Sequence, residues 1–298
     1  MGTLQRQVAG SSSVSDRKGI DGDLVKIPFA RLARPYIILA PALLLTIGIL
    51  VPFAMAVYYS FTNFSFKYSD YSFIGFRNWA EIYASSKFWH SFGVTLTYSA
   101  SATIVQMVLG MAIALLLNQE NLLARSLRIV LIFPLMIAPV VATLIWQLMT
   151  NQSMGVYSKL LKMMGIEFNW AADPSSAMFT VVLVDTWVYT PFVIILVLAG
   201  LRSLPKSPFE ASQIDGGSAW FTFKNLTFPM IKPMLLIALL FRLMQSLQEF
   251  SVIFVMTRGG PGDKLMSLPI LAYTEAFAYK EMGYAIPFML TLWIFIYA

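Results

Sequence analysis

Six stretches of the chain are almost wholly apolar, and polar segments of unequal length separate them. The apolar spans fall near 36–60, 93–117, 128–149, 178–200, 231–256 and 284–298. Runs of about 20 apolar residues match the hydrocarbon thickness of a bilayer. A backbone in lipid finds no water to bond, so the predicted spans are α-helices. The expected class is an all-α integral membrane protein with six transmembrane helices. Pro41, Pro52, Pro134, Pro139 and Pro191 lie inside spans and should kink them. The last span is short: residues 284–298 give roughly 22 Å of helix against a hydrocarbon core of roughly 30 Å. Either that helix begins among residues 274–283 or the chain stops short of its natural end. The apolar ending, with no polar flank, favours the second.

Composition agrees with the pattern: hydrophobic residues make up 58% of the chain, charged residues 12%, and mean hydropathy is +0.69. With no cysteine, disulfides, thiolate metal sites and cysteine nucleophiles are excluded. His90 is the sole histidine and reads as structural, because no second imidazole exists to share a metal. Residues 1–30 are polar, rich in Ser, Gly and Asp, and read as a disordered cytoplasmic tail. They are not a signal peptide, because the apolar run begins too far from Met1 and is too long. Lys26, Arg31 and Arg34 precede the first span, placed to meet anionic headgroups. With the N-terminus inside, the inner segments 1–35, 118–127 and 201–230 carry Arg31, Arg34, Arg125, Arg202, Lys206 and Lys224 near their ends. The basic bias therefore puts the N-terminus in the cytoplasm, and the net charge of +6 needs no nucleic-acid partner. The loop 61–92 is rich in aromatic residues and reads as an interfacial belt or as a docking surface for an external protein.

The polar stretch 207–229, SPFEASQIDGGSAWFTFKNLTFP, does not read as slack linker. Ser207 predicts a helix cap, Pro208 suits the first helical position, and Glu210 stands three residues after the cap, which makes a capping box. The short helix should run to about Ile214. Gly216 and Gly217 should end it, since glycine reaches the conformations a reversal needs. Ser218 should cap a second short helix, from Ala219 to about Phe228, stopped near Pro229. A helix–Gly–helix elbow between two membrane spans suits recognition in a groove of a soluble partner.

Glu210-Ala211-Ser212, three residues, Gly216, nine residues, Leu226, one residue, Phe228-Pro229 resembles the EAA loop of binding-protein-dependent ABC importer permeases. That family reads E-A-A, G and I-x-L-P at this spacing, so Ser212, Leu226 and Phe228 are conservative departures, and Asp215 matches the common form. A second patch, Met256-Thr257-Arg258-Gly259-Gly260-Pro261-Gly262, is similar to the T-G-G-G-P stretch of the carbohydrate-uptake (maltose/trehalose-type) branch, with Arg258 for a glycine. The resemblance covers the chain from about residue 35 and identifies residues 31–298 as a transmembrane domain with its coupling loop at 207–229. It implies a subunit of a bacterial inner-membrane sugar importer, paired with a second, homologous permease. Two ATPase subunits would carry ATP and magnesium, and an extracytoplasmic solute-binding protein would deliver sugar. Glu210, Ala211, Ser212, Asp215 and Gly216 would couple the chain to the ATPases. Glu210 could equally serve as a helix cap, and Asp215 could cap the following helix or pair with a basic group.

The chain contains no G-x-x-x-x-G-K-[ST] phosphate loop, so it carries no cofactor by expectation. It is read as a transport subunit rather than an enzyme, with any ATP hydrolysis on a partner chain. Polar groups inside spans are costly and face a pathway or a partner helix. Arg242, Gln245 and Glu249 fall on one helical face, flanked by Ser246, and resemble the family's sugar-contacting face. Asp185, Tyr189 and Phe192 in the fourth span add polar and aromatic contacts, as do Trp187, Trp146 and Gln147. The competing reading is an Arg242–Asp185 or Arg242–Glu249 pair that only holds helices together. Rival functions are an ABC permease for another solute such as glycerol phosphate, and an ion-coupled secondary carrier using Asp185 and Glu249.

Overall fold

A computed structural model describes residues 29–119, 121–166 and 168–298. Of the tail expected over residues 1–30, residues 1–28, including Lys26, lie outside this range. The chain divides into two compact units, residues 1–53 and 54–298. In the first, the described residues form the greater part of α1 (Phe29–Tyr59), whose stretch Ile38–Tyr59 is apolar and long enough to cross a membrane.

The second unit continues with α2 (Arg77–Ala84), α3 (Ser86–Leu117), α4 (Leu122–Ile132), α5 (Pro139–Met149), α6 (Val156–Met163) and α7 (Pro174–Arg202). There follow α8 (Ser207–Ile214), α9 (Ala219–Thr222), α10 (Phe228–Leu247), α11 (Ser251–Thr257), α12 (Leu268–Tyr273) and α13 (Met282–Tyr297). The one extended pairing among the described residues is an isolated bridge between Thr62 and Phe73.

Four helical stretches among the described residues are long and apolar enough to span a bilayer: Ile38–Tyr59, Ser86–Leu117, Pro174–Arg202 and Ala219–Leu247. The bent pair Leu122–Met136 and Pro139–Met149 makes a fifth if taken as one span. The helix that answers to the sixth expected span, α13, has 16 residues and starts at Met282, within the range 274–283 expected for an earlier start.

Two expected spans are not single helices. The run 128–149 turns through 99° between Met136 and Pro139. Ile137 and Ala138 are extended, with ψ of 133° and 132°, the conformation favoured ahead of a proline. The run 231–256 is interrupted at residues 248–250, after α10 ends at Leu247. There the Glu249 carboxylate accepts the Val252 N–H at 2.9 Å, a local bond that competes with the helical ladder and starts α11 afresh.

The most extensive helix contact joins α3 to α7. A Cβ on Gly110 would lie 2.6 Å from Val193 Cγ1 and 2.7 Å from its Cβ, so the glycine sets how closely these helices approach. Gly110→Val should therefore lower stability by about 1–3 kcal/mol, read as a fall in the melting temperature of the solubilised chain. An unchanged melting temperature would mean that the helices part without cost. Asp173 caps α7, accepting the Ser176 hydroxyl at 2.6 Å and the Ser176 N–H at 2.7 Å. Both bonds favour the carboxylate and hold it below the usual range. This cap is intact at neutral pH and lost as the pH falls through the lowered pKa.

At one end of the second unit the buried Asn78 amide donates to the carbonyls of Ser60 (3.1 Å), Thr62 (2.8 Å) and Gly283 (3.0 Å). This ties the loop after α1 to the start of α13. Around it Tyr59 stacks on Phe64 at 4.5 Å and meets Tyr71 edge-on at 5.6 Å, so much of the aromatic loop packs on itself. His90 lies within α3, with Nε2 2.8 Å from the Asp263 carbonyl oxygen, a contact that links α3 to the loop before α12.

Candidate coupling elbow and buried polar cluster

The elbow is built from α8, a glycine reversal and α9. Its entry differs from expectation. The residue before the helix is Lys206, whose φ of −76° and ψ of −29° are already helical, so Ser207 and Pro208 fall inside the first turn. A capping box requires an extended cap residue, and none exists here. The Glu210 N–H instead donates to the Lys206 carbonyl at 3.1 Å, leaving the exposed Glu210 carboxylate outside any cap.

The exit is as the glycines predict. Gly216 has φ of +75°. Its N–H donates to the Gln213 carbonyl at 3.2 Å, and the Gly217 N–H to the Ser212 carbonyl at 2.8 Å. These paired bonds form a Schellman ending. Ser218 then caps α9, accepting the Phe221 N–H at 3.2 Å, so Asp215 does not perform that role.

α9 does not stop at Pro229. A wide turn over Phe223–Thr227 carries it into α10, and the result is one continuous helix, Ala219–Leu247, of 29 residues. Such wide turns shift the hydrogen-bond ladder by one residue, here immediately ahead of the proline that lacks an N–H.

The five coupling residues are not equivalent. Glu210, Ala211, Asp215 and Gly216 are exposed, whereas Ser212 is buried. Its hydroxyl lies 3.0 Å from that of Thr222, clasping the two arms of the elbow from inside. Three apolar residues that sequence reasoning passed over are presented outward: Ile214 at 86% exposure, Trp220 at 70% and Phe221 at 53%. Their signal was available, since large apolar side chains at the tip of a polar loop are unusual without a partner.

A second cluster lies where α3, α7 and α10 meet. Arg242 and Asp185 are both 0% exposed and form an ion pair at 2.9 Å. Arg242 also donates from Nε to Gln106 Oε1 at 2.5 Å and from Nη1 to Gln245 Oε1 at 2.7 Å. Gln106 Nε2 donates in turn to Asp185 Oδ2 at 2.7 Å. The guanidinium sits 4.5 Å from the centre of the Tyr189 ring, a stacking contact that offsets part of its desolvation. Ser246 is 3.1 Å from Thr103 across α10 and α3. Glu249 does not pair with Arg242; it caps α11.

Of the seven pathway residues expected, only Gln245 is exposed. Phe192 is half-buried, 6.4 Å from Phe241 edge-on. Asp185, Tyr189, Arg242, Ser246 and Glu249 are buried. The structure thus brings the expected residues together, but as a closed cluster. Sequence reasoning missed Gln106, whose lone amide inside an apolar span was the available sign. Trp146 stacks on Tyr157 at 5.5 Å and meets Trp187 edge-on at 5.9 Å, separate from the ion pair.

Residues 106–298 match the family described as binding-protein-dependent transport system inner membrane component. The chain belongs to that family. This permease is therefore a multi-pass membrane component of a transport system. It is 37% identical over 213 residues to the trehalose/maltose transport system permease protein MalF of Thermococcus litoralis, covering 71% of this chain and 70% of that protein. It is 30% identical over 251 residues to the sn-glycerol-3-phosphate transport system permease protein UgpA of Pectobacterium atrosepticum, covering 84% and 85%. Its fold is that of a chain in a bacterial ABC transporter involved in the import of the acidic polysaccharide alginate, with a TM-score of 0.79 at 18% identity over 90% of this chain and 93% of that one.

Proposed function

We propose that the chain is one permease half of an ATP-driven carbohydrate importer, and that its elbow transmits ATPase motion to the substrate pathway. The observation that carries the reading is the continuity of Ala219–Leu247. One helix of about 43 Å starts beside the exposed elbow residues Glu210, Ala211, Asp215 and Gly216 and ends in the cluster around Arg242. A displacement of the elbow by an ATPase subunit would move Arg242, Gln245 and Ser246 with it, past Asp185, Tyr189 and Phe192 on α7. ATP must then bind the two global states with different affinity.

ATP and magnesium belong to two ATPase subunits on the cytoplasmic side, with the N-terminus of this chain on that side as well. A second permease completes the pathway. A solute-binding protein delivers the cargo, a role supported by the alginate transporter solved with an alginate-pentasaccharide-bound periplasmic protein. The kinship with MalF favours a neutral disaccharide. The kinship with UgpA raises an anionic solute, but a pathway cation to attract it is not free: Arg242 is neutralised by Asp185 and held by Gln106 and Gln245. The lone-carrier reading needs uncommitted acids, and Asp185 and Glu249 are both engaged.

The test is ATPase activity of the purified assembly in vesicles. A binding protein loaded with a neutral disaccharide should stimulate hydrolysis several-fold. Stimulation by glycerol phosphate in its place would favour the anion importer, and uptake by this chain without ATPase subunits would overturn the importer reading.

A further inference from the structure

The elbow borders a cleft of about 970 Å³, to which it contributes Lys206, Phe209, Glu210 and Gln213. Its walls come from the end of α3, the start of α4, the end of α7 and α8. Arg125, Arg128, Arg202 and Lys206 line it, and the one acid lining it among the described residues is Glu210. Arg128 is committed: it donates to the Leu117 carbonyl at 3.1 and 2.5 Å and to the Gln119 carbonyl at 2.6 Å, closing the end of α3. Arg125, Arg202 and Lys206 are exposed and have no ion-pair partner among the described residues. Between the cations stand Leu115, Leu122, Leu201 and Leu204, together with the polar Asn118, Asn121, Gln213 and Thr227. Beside it α4 exposes Leu122 at 82% and Leu123 at 68%.

We infer that this cleft binds the phosphate headgroup of an anionic phospholipid, with its acyl chains along the leucines of α3, α4 and α7. Three observations select a lipid over an acidic protein segment. The cations sit at the ends of apolar spans, where the headgroup layer lies. The lining sets cations beside leucines of three helices, as a headgroup and its chains require. The exposed leucines of α4 adjoin the cleft and need a hydrocarbon neighbour. Guanidinium groups match a phosphate by paired hydrogen bonds, and basic pockets between spans are where anionic headgroups bind.

The test is native mass spectrometry of the full chain, with the subunits that co-purify, in mild detergent containing phosphatidylglycerol or phosphatidylcholine. Wild type should retain phosphatidylglycerol selectively. Arg125→Gln with Arg202→Gln should weaken retention by about 30-fold, the factor for two cations at an anionic surface. The Arg125→Lys, Arg202→Lys pair, which keeps both charges but not the paired hydrogen bonds, should restore part of it. On wild type alone, raised salt should release phosphatidylglycerol and leave any phosphatidylcholine. Equal retention of the two lipids, or retention unchanged by the glutamine pair, overturns the inference. So does displacement of the lipid by millimolar inorganic phosphate, which would mark a free-phosphate site. Loss of ATPase subunits with lipid retention intact would assign the cleft to protein docking instead. None of these readouts requires transport, so their failure leaves the importer reading untouched.

Discussion

Asp185→Leu should destabilise the chain by about 3–5 kcal/mol, the cost of leaving a buried charge without its partner. Arg242 is wholly buried and its ion pair with Asp185 spans 2.9 Å. Without the carboxylate, Gln106 and Gln245 can still accept from the guanidinium, but neither supplies the compensating charge. The second half of the experiment separates a structural pair from a general need for polarity. Adding Arg242→Met to Asp185→Leu removes both charges and should recover most of the loss, since two well-packed apolar groups replace a buried pair with little net cost. Unfolding of the detergent-solubilised variants, followed by tryptophan fluorescence, reads both. A single variant as stable as wild type would mean that water or lipid reaches Arg242 and that the cluster is open. Transport should stay low in the double variant even where stability returns, if the cluster also contacts cargo. Recovery of both together would reduce it to a helix clamp.

Gly216→Pro should uncouple the permease from its ATPases, cutting substrate-stimulated hydrolysis by about 100-fold, the scale set by a proline cost of ~3 kcal/mol. Two separate features of Gly216 forbid proline. Its φ is +75°, where proline is locked near −65°. Its N–H donates to the Gln213 carbonyl, a bond proline cannot make. No atom lies within 4 Å of where a Cβ would stand, so bulk is not the obstacle. Gly216→Asn, which tolerates the left-handed region, should therefore couple nearly as wild type. The pair of variants isolates backbone geometry from side-chain contact. Equal coupling in the proline and asparagine variants would remove the elbow from the coupling path. The spans should stay folded in both, checked by unchanged helical circular dichroism.

The elbow shows where local reading succeeds and where it fails. Glycines 216 and 217 end α8 as expected, because a helix terminus with a left-handed residue is a property of a few adjacent residues. The capping box at Ser207 does not form, because the chain enters α8 one residue earlier, with Lys206 already helical. Pro229 was expected to stop a helix and instead follows a wide turn inside one. The wide turn over Phe223–Thr227 shifts the hydrogen-bond ladder just ahead of the proline, so the helix passes it in its first turn. Ser212 carries the same lesson. Its place in the motif suggested an outward coupling surface, but its neighbour Thr222, ten residues on, holds it inward.

What the sequence determined by itself is the class of the protein. Apolar runs of bilayer length require helices, because an unbonded backbone in lipid is too costly, and the reversal between the elbow's two arms follows from its glycines and the Ser218 cap. The tertiary structure decided the rest. It paired Arg242 with Asp185 and not with Glu249, although all three were visible as costly polar groups in spans. It broke the run 231–256 where Glu249 caps a new helix, and bent the run 128–149 at Ile137 and Ala138. The reason is physical: periodicity reports which face of a helix is polar, but the partner that satisfies a buried charge depends on which helices pack beside it. That packing is set by close approaches such as Gly110 against Val193, between residues far apart in the chain.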